Sequence, residues 1–520
     1  MDLSTFDNLF QQAELLLQQS SILWAAIGTI IAALYLFSKK SEEEYAKIPT
    51  VKFISPLLPD FFSRLLFNSK ASEVIYRGYK QYKDKAYRIL KADGDLIVLS
   101  TKYCEELRTL PALKLNALEA TFSDHVGDYT TILVGSHLHT QTIQRRLTPA
   151  IGQIIPRMLD ELCYAFDVEF PKCEDKWVGI NPYNVILRLV ARAGARVFLG
   201  ENVCRDEEWL SISISFTTNI FETVALLRPV PGFLQPIIGP LLPSSRRLSK
   251  QLKYAQDKLL VPIINKRRAA EQAGDPSYEK PDDFLQWMMD LADNPNDADP
   301  ANLAHRLLGI MSMAVVHTSA MMSVHVIYDL ITMPEWIEPL RKEIKDAVPP
   351  KWKDVVQASL LELKHLDSFM KESQRVNPPG HLSFHRIVKE DMTLSDGLKL
   401  SKGTHICMAS GPISTDPEIV QDPEVFDGFR WSKENKGTSS FVSTGPTGMH
   451  FGLGRYACPG RFFASYVIKA ILARILLDYD FKFGPGQEGR PKNIVIGDKI
   501  VPNYTTEVFF RKRHKETVPI

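Results

Sequence analysis

Phe451-Gly-Leu-Gly-Arg-Tyr-Ala-Cys458-Pro-Gly460 is the stretch whose reading decides the fold. Glycines and a proline surround one cysteine. An apolar run at helical spacing follows: Phe462, Phe463, Val467, Ile468, Ile471, Leu472, Ile475 and Leu476. The pattern predicts a tight loop that presents a thiolate at the N-terminus of a helix. There the dipole and the free backbone N–H groups favour negative charge and lower a cysteine pKa. Gly452 and Gly454 let the backbone approach a flat ligand closely, and Gly460 permits a sharp turn behind the sulfur. Phe451 shields the sulfur from water, which tunes a metal–thiolate bond. Gly452-x-Gly454-x-x-Ala457 also matches part of a dinucleotide fingerprint, but the turn-rich Ser443-Thr-Gly-Pro-Thr-Gly448 stands where that motif needs a strand. A packed core cysteine is the plainer reading of a lone thiol, and glycines at this density are poor core material.

On these residues the stretch resembles the haem-binding loop of the cytochrome P450 superfamily, with Phe451, Gly454, Cys458 and Gly460 at the family spacing. Cys458-Pro-Gly-Arg-Phe-Phe-Ala464 is similar to the fungal branch. The resemblance implies a mainly α fold with a small β part, built around haem b with Cys458 as the axial iron ligand. The sequence departs at Tyr456, where the family usually places a basic residue to meet a haem propionate. Arg455 is adjacent but points elsewhere.

Upstream of the loop, Leu360–Arg375 reads as one amphipathic helix stopped by Pro378-Pro379, with Glu372 and Arg375 on one side. A Glu-x-x-Arg pair alone is weak, since exposed helices carry many. Its place before the cysteine loop is what the resemblance uses. Phe426-Asp-Gly-Phe-Arg430-Trp resembles the family's loop arginine, which implies a structural network of Glu372, Arg375 and Arg430. Arg386 lies where the family has a propionate-binding arginine on a short strand, and guanidinium forks suit carboxylates. Arg145 is a second propionate candidate on a predicted helix, against a solvated basic face formed with Arg146.

Leu307–Tyr328 holds no Asp, Glu, Lys or Arg across 22 residues. His317, His325 and several hydroxyl residues make it a poor membrane span and a better central helix of a large domain. Ala314, His317, Thr318, Met321 and Met322 share one face of a regular helix. The resemblance places Thr318 beside the oxygen-binding side of the haem. His317 replaces the family's acid and Val315 its usual glycine. Imidazole titrates near cytosolic pH, so His317 is a candidate proton relay with Thr318, against a satisfied core histidine. Residues 72–88 read as a helix, 96–100 as a strand, 111–140 as a loop over a pocket, and 181–200 as a core helix.

The chain has 520 residues and a net charge of +1, with no basic cluster interleaved with aromatics, which excludes a nucleic-acid binder. Six cysteines without a Cys-x-x-Cys pair read as reduced thiols of a cytosolic face. Residues 21–38 carry no charge and nearly cross a bilayer core of roughly 30 Å. Asp2, Asp7 and Glu14 precede them, and Lys39, Lys40 and Lys47 follow. This predicts a luminal tail (1–20), a transmembrane anchor (21–38), a linker (39–50) and a cytosolic catalytic domain (51–520). The proline-rich apolar segment 229–243 cannot be one helix and reads as a second membrane contact.

The resemblance implies a monooxygenase of the endoplasmic reticulum membrane. It would place one atom of O₂ on a bulky lipophilic substrate, with NADPH electrons from a cytochrome reductase and cytochrome b5 as a further donor. Val-His-Thr-Ser and the Cys-Pro-Gly-Arg-Phe-Phe-Ala run resemble fungal oxidases of ent-kaurene-type diterpenes and indole-diterpenes. A reductase-independent isomerase, dehydratase or peroxygenase, and a non-catalytic haem-binding protein, stay open.

Overall fold

One helix of 33 residues, Pro300–Thr332, runs through the middle of the computed structural model. That structure describes residues 45, 47–53, 60–132, 135–230, 232, 234–433 and 439–513. The expected tail and anchor, and most of the linker, lie outside the described residues. Asp299 starts the central helix by accepting the Asn302 N–H at 2.9 Å, and Pro300 occupies the first turn, where an N–H has no partner to lose. Pro334 follows its end. Helices Pro182–Leu199, Glu207–Leu227, Lys364–Val376 and Arg461–Asp478 pack around it. Among the described residues two helices, Glu207–Leu227 and Pro300–Thr332, are long and apolar enough to cross a bilayer, and most of each is buried inside the protein. The uncharged run 307–328 is therefore core.

Regular α-helical bonding in this helix gives way to a π-helical segment at Ile310–Val316. Such bulges concentrate at functional sites because they re-aim the residues that follow. A straight helix puts Ala314, His317, Thr318, Met321 and Met322 on one face. Here Ala314 and Thr318 keep accessible surface and Met321 keeps some, while His317 and Met322 are buried in packing.

Two other expected elements differ. Leu360–Arg375 is not continuous: Gln357–Leu361 ends, and a new helix begins at Lys364. Glu343 of the neighbouring helix accepts the His365 and Leu366 N–H groups at 2.6 and 2.9 Å, a cap from another element that fixes the new start. The helix expected at 72–88 is Asp60–Gln81, and Tyr87–Lys91 is a strand instead. It forms a hairpin with Gly94–Leu99, whose first residue takes φ +143. The expected loop 111–140 holds the short strand Leu115–Asn116 and helix Ala117–Asp124. Segment 229–243 is broken into short turns, Gln235–Ile238 and Gly239–Leu241, that leave Ile237 and Leu241 exposed.

The larger sheet runs Thr50–Val51, Tyr87–Lys91, Gly94–Leu99, His405–Met408, Ser383–Val388, Leu115–Asn116. In a second sheet the central strand Val508–Lys512 pairs antiparallel with Tyr479–Phe483 on one side and Val178–Ile180 on the other. The core cluster joins the helices around the central one to the helix that follows Cys458.

Candidate active site

The cysteine loop folds as its glycines dictate, with one exception. Gly452 and Gly454 take φ +75 and +66, where a side chain is strained. A Cβ at Gly454 would stand 2.5 Å from the Arg108 carbonyl oxygen, so only glycine fits that crossing. Gly460 differs from expectation. Its φ is −85, open to any residue, and a Cβ would meet no protein atom. The Cys458 N–H donates to the Phe451 carbonyl at 2.7 Å and closes the loop, and the Phe451 ring stands edge-on to Phe441 at 5.2 Å. Helix Arg461–Asp478 starts directly behind.

Cys458 keeps accessible surface, yet burial pushes its thiol above the ordinary value. The N–H groups of Gly460 and Arg461 and the Arg461 charge pull the other way without winning. The expected lowering by the helix start is thus outweighed. A coordinated metal deprotonates such a thiol outright.

Thr318 also keeps accessible surface on a helix buried elsewhere, and its Oγ1 donates to the Ala314 carbonyl at 2.6 Å. Helix His317–Thr332 packs directly on the helix behind Cys458, so both residues belong to one core region. His317 is turned away. Its Nε2 donates to the Ile214 carbonyl at 2.8 Å, and its Nδ1 accepts from the Tyr183 hydroxyl at 2.9 Å. Burial lowers its pKa, which fits a neutral ring with one donor and one acceptor nitrogen. Its ring nitrogens thus bond Tyr183 and Ile214 rather than Thr318.

Arg386, on strand Ser383–Val388, is buried with no carboxylate partner among the described residues. It donates to the neighbouring His385 carbonyl and lies over the Phe384 and Tyr456 rings at 4.2 and 4.6 Å. Burial lowers its pKa to about 10. Tyr456 brings its hydroxyl into the same region, buried and without a partner. Phe384 holds φ +58 beside a register shift in the strand, a strained conformation that sets where Arg386 emerges. Arg145 is exposed on the π-helical turn Ile143–Leu147 and makes no ion pair among the described residues.

Glu372 is fully buried and gathers donors from two segments. Arg375 reaches it through Nη2 at 2.8 Å and Nε at 3.0 Å, Arg430 through Nε at 3.1 Å. Trp431 Nε1 adds 3.0 Å and the Asp427 N–H 3.2 Å.

A family profile described as Cytochrome P450 matches residues 136–505. The cytochrome P450 monooxygenase penP of Penicillium crustosum is 63% identical over 495 residues, 95% of this chain and 96% of that protein. The monooxygenase paxP of Penicillium paxilli is 59% identical over 513 residues, 99% of each chain. AtmP of Aspergillus flavus, another cytochrome P450 monooxygenase, is 61% identical over 496 residues, 95% of each chain.

The chain belongs to the cytochrome P450 family.

It is a P450 monooxygenase whose cofactor is thiolate-ligated haem. The residues present fit that group. Cys458 keeps accessible surface, and a buried guanidinium without an ion pair and an orphaned phenol lie together ready for a carboxylate. Sequence reasoning treated Tyr456 only as a missing base and overlooked its hydroxyl. It also missed Trp431, although that residue follows Arg430 directly. Tyr183 carried no signal, because its role depends on a contact 134 positions away.

Proposed function

We propose that this P450 is anchored through residues 21–38 in the endoplasmic reticulum membrane. It would oxidise a bulky terpenoid of the indole-diterpene kind with electrons from an NADPH-cytochrome reductase. The observation that carries the substrate reading is the accessible strip of Ala314, Thr318 and Met321 midway along a mostly buried helix, an apolar wall with one hydroxyl. Exposed Ile237 and Leu241 supply a second apolar contact for a lipid surface.

Haem held by Cys458 supplies oxygen activation, a thiolate ligand favouring O–O cleavage. Arg386 and Tyr456 bind one of its carboxylates. Thr318 donates to Ala314, which leaves its oxygen lone pairs free to accept from a water and orient it. His317 positions that turn by tying the central helix to Tyr183 and Ile214.

The test of function uses membranes holding the full chain with or without reductase, fed an indole-diterpene, a fatty acid or a small aromatic under ¹⁸O₂. The expected result is one labelled oxygen on the indole-diterpene, dependent on NADPH and reductase. Equal turnover without reductase overturns the reading. Deleting residues 1–38 should weaken flotation with lipid vesicles but leave some, and complete solubility would refute the 229–243 contact.

Thr318→Ala should raise hydrogen peroxide release per NADPH about tenfold or more, within the range of general acid–base groups. His317→Leu leaves the Tyr183 hydroxyl and Ile214 carbonyl unsatisfied, a destabilisation of about 1–3 kcal/mol, and His317→Gln should recover part of it. If His317→Leu changes coupling at unchanged thermal stability, the residue carries protons after all.

Tyr456→Phe removes a hydroxyl that has no protein partner. The apoprotein should be as stable as before, while haem leaves faster to a scavenger. A hydrogen bond to a charged carboxylate contributes about 1.5–3 kcal/mol, or roughly 10–150-fold in rate. Arg386→Leu should show a larger loss. Unchanged haem release in both variants would place the propionates elsewhere.

A further inference from the structure

Helix Ala117–Asp124 ends against the larger sheet, and three side chains converge there. Asp124 closes the helix, His385 precedes Arg386 on its strand, and His405 opens the neighbouring strand. His385 Nδ1 lies 3.2 Å from His405 Nε2 and 3.2 Å from Asp124 Oδ2, and His405 Nε2 lies 3.8 Å from the same oxygen. We propose that Asp124, His385 and His405 form a binding site for one divalent transition-metal ion, zinc foremost. This lies outside the haem chemistry and does not rest on the substrate reading.

The distances carry the case first. Tetrahedral zinc with bonds of about 2.0–2.1 Å places its donor atoms about 3.3 Å apart. The three separations here, 3.2, 3.2 and 3.8 Å, match one face of such a tetrahedron. Two imidazoles and one carboxylate are a donor set that zinc and its neighbours take readily.

Proton counting gives the second argument. The three atoms face one another, and each carries a lone pair unless protonated. With His385 Nδ1 protonated, its single N–H must serve both Asp124 and His405. With His405 Nε2 protonated instead, a bare Nδ1 faces the carboxylate at 3.2 Å. Neither tautomer satisfies all three contacts, whereas a cation at the centre does. The remaining His385 nitrogen, Nε2, is buried without a partner and is free to carry the hydrogen once Nδ1 ligates.

The surroundings hold the carboxylate without overloading the site with charge. Lys91 and Arg228 approach the other oxygen of Asp124 at 3.3 and 3.6 Å. Their charge is shared with Asp93, 2.8 Å from Arg228 and 3.6 Å from Lys91, and Lys499 beyond them pairs with Asp498 at 2.8 Å. Three cations thus stand near three carboxylates, Asp124 of the triad included. A bound ion would fasten the end of helix Ala117–Asp124 to the two strands next to Arg386, in the segment that reads from sequence as a pocket cover.

The test uses the haem-loaded full-length protein after dialysis against a chelator. Calorimetric titration with zinc chloride should give one site per chain. X-ray absorption at the zinc edge should show nitrogen and oxygen ligands alone, at about 2.0–2.1 Å. His405→Gln and, separately, Asp124→Asn should weaken zinc binding at least about tenfold with the reduced carbonyl band unchanged. Absence of binding by the native chain, sulfur in the zinc shell, or undiminished affinity in a folded variant overturns the proposal. The absorption measurement decides the matter even where a variant fails to fold.

Discussion

Replacing Cys458 with alanine is expected to abolish the red-shifted Soret band of the reduced carbonyl complex, together with all turnover. That band reports a thiolate on iron, and no other cysteine is placed to supply one. Cys104, Cys173, Cys204 and Cys407 are buried in packing. Burial pushes Cys104 up to about 11 and Cys204 to about 12, which leaves them inert thiols. Cys163 is half-buried and accepts from Arg474. Cys458 alone among the described cysteines keeps an exposed sulfur side, and it does so in a loop shaped by Gly452 and Gly454. The substitution should leave the fold intact, because the bond that closes the loop runs from the Cys458 backbone N–H to Phe451. Circular dichroism of the variant should therefore match the native apoprotein. A Cys458→Ala protein that keeps the band would have another thiolate on iron, and the site as described here would be wrong.

What could be read without coordinates follows from how local each signal is. The glycines of the cysteine loop announce themselves because positive φ is nearly a property of one residue type, and Gly452 and Gly454 adopt it. Helix Pro182–Leu199 was legible from its aliphatic spacing, with Asn181 capping it and Pro182 in its first turn. The failures involve partners far along the chain. The break before Lys364 comes from Glu343 in another helix. A π-helical segment at Ile310–Val316 leaves no mark in hydrophobic periodicity, and His317 is buried by contacts to Tyr183 and Ile214 on other helices. The raised thiol of Cys458 reflects burial by the whole domain, which outweighs the helix start that the motif does show. Tyr456 looked like a loss because its position was compared with a base. Its nearness to Arg386, 70 positions earlier in the chain, is a contact that only the fold brings about.

Glu372→Gln should be the most destabilising single change outside the cysteine loop. The carboxylate is fully buried and faces N–H donors from Arg375, Arg430, Trp431 and Asp427. A glutamine keeps one acceptor oxygen but turns an NH₂ group toward those same donors, and it leaves two guanidinium charges without an anion. The arginines cannot swing out to water. Arg375 also donates to the Pro423 carbonyl at 2.8 Å, and Arg430 to that of Val425 at 2.7 Å. Breaking a buried pair in this way typically costs about 3–5 kcal/mol, against total stabilities of about 5–15 kcal/mol. The segment from Gln421 to Trp431 hangs on these bonds, so its detachment from helix Lys364–Val376 should come first. The expected readout is a sharp fall in haem-loaded yield and in thermal half-life, with turnover per haem close to native in whatever folds. Glu372→Asp keeps the charge on a shorter arm and should fall between. Should Glu372→Gln instead fold normally and lose turnover per haem, the residue would act on the chemistry itself, and its place in a purely structural network would have to be abandoned.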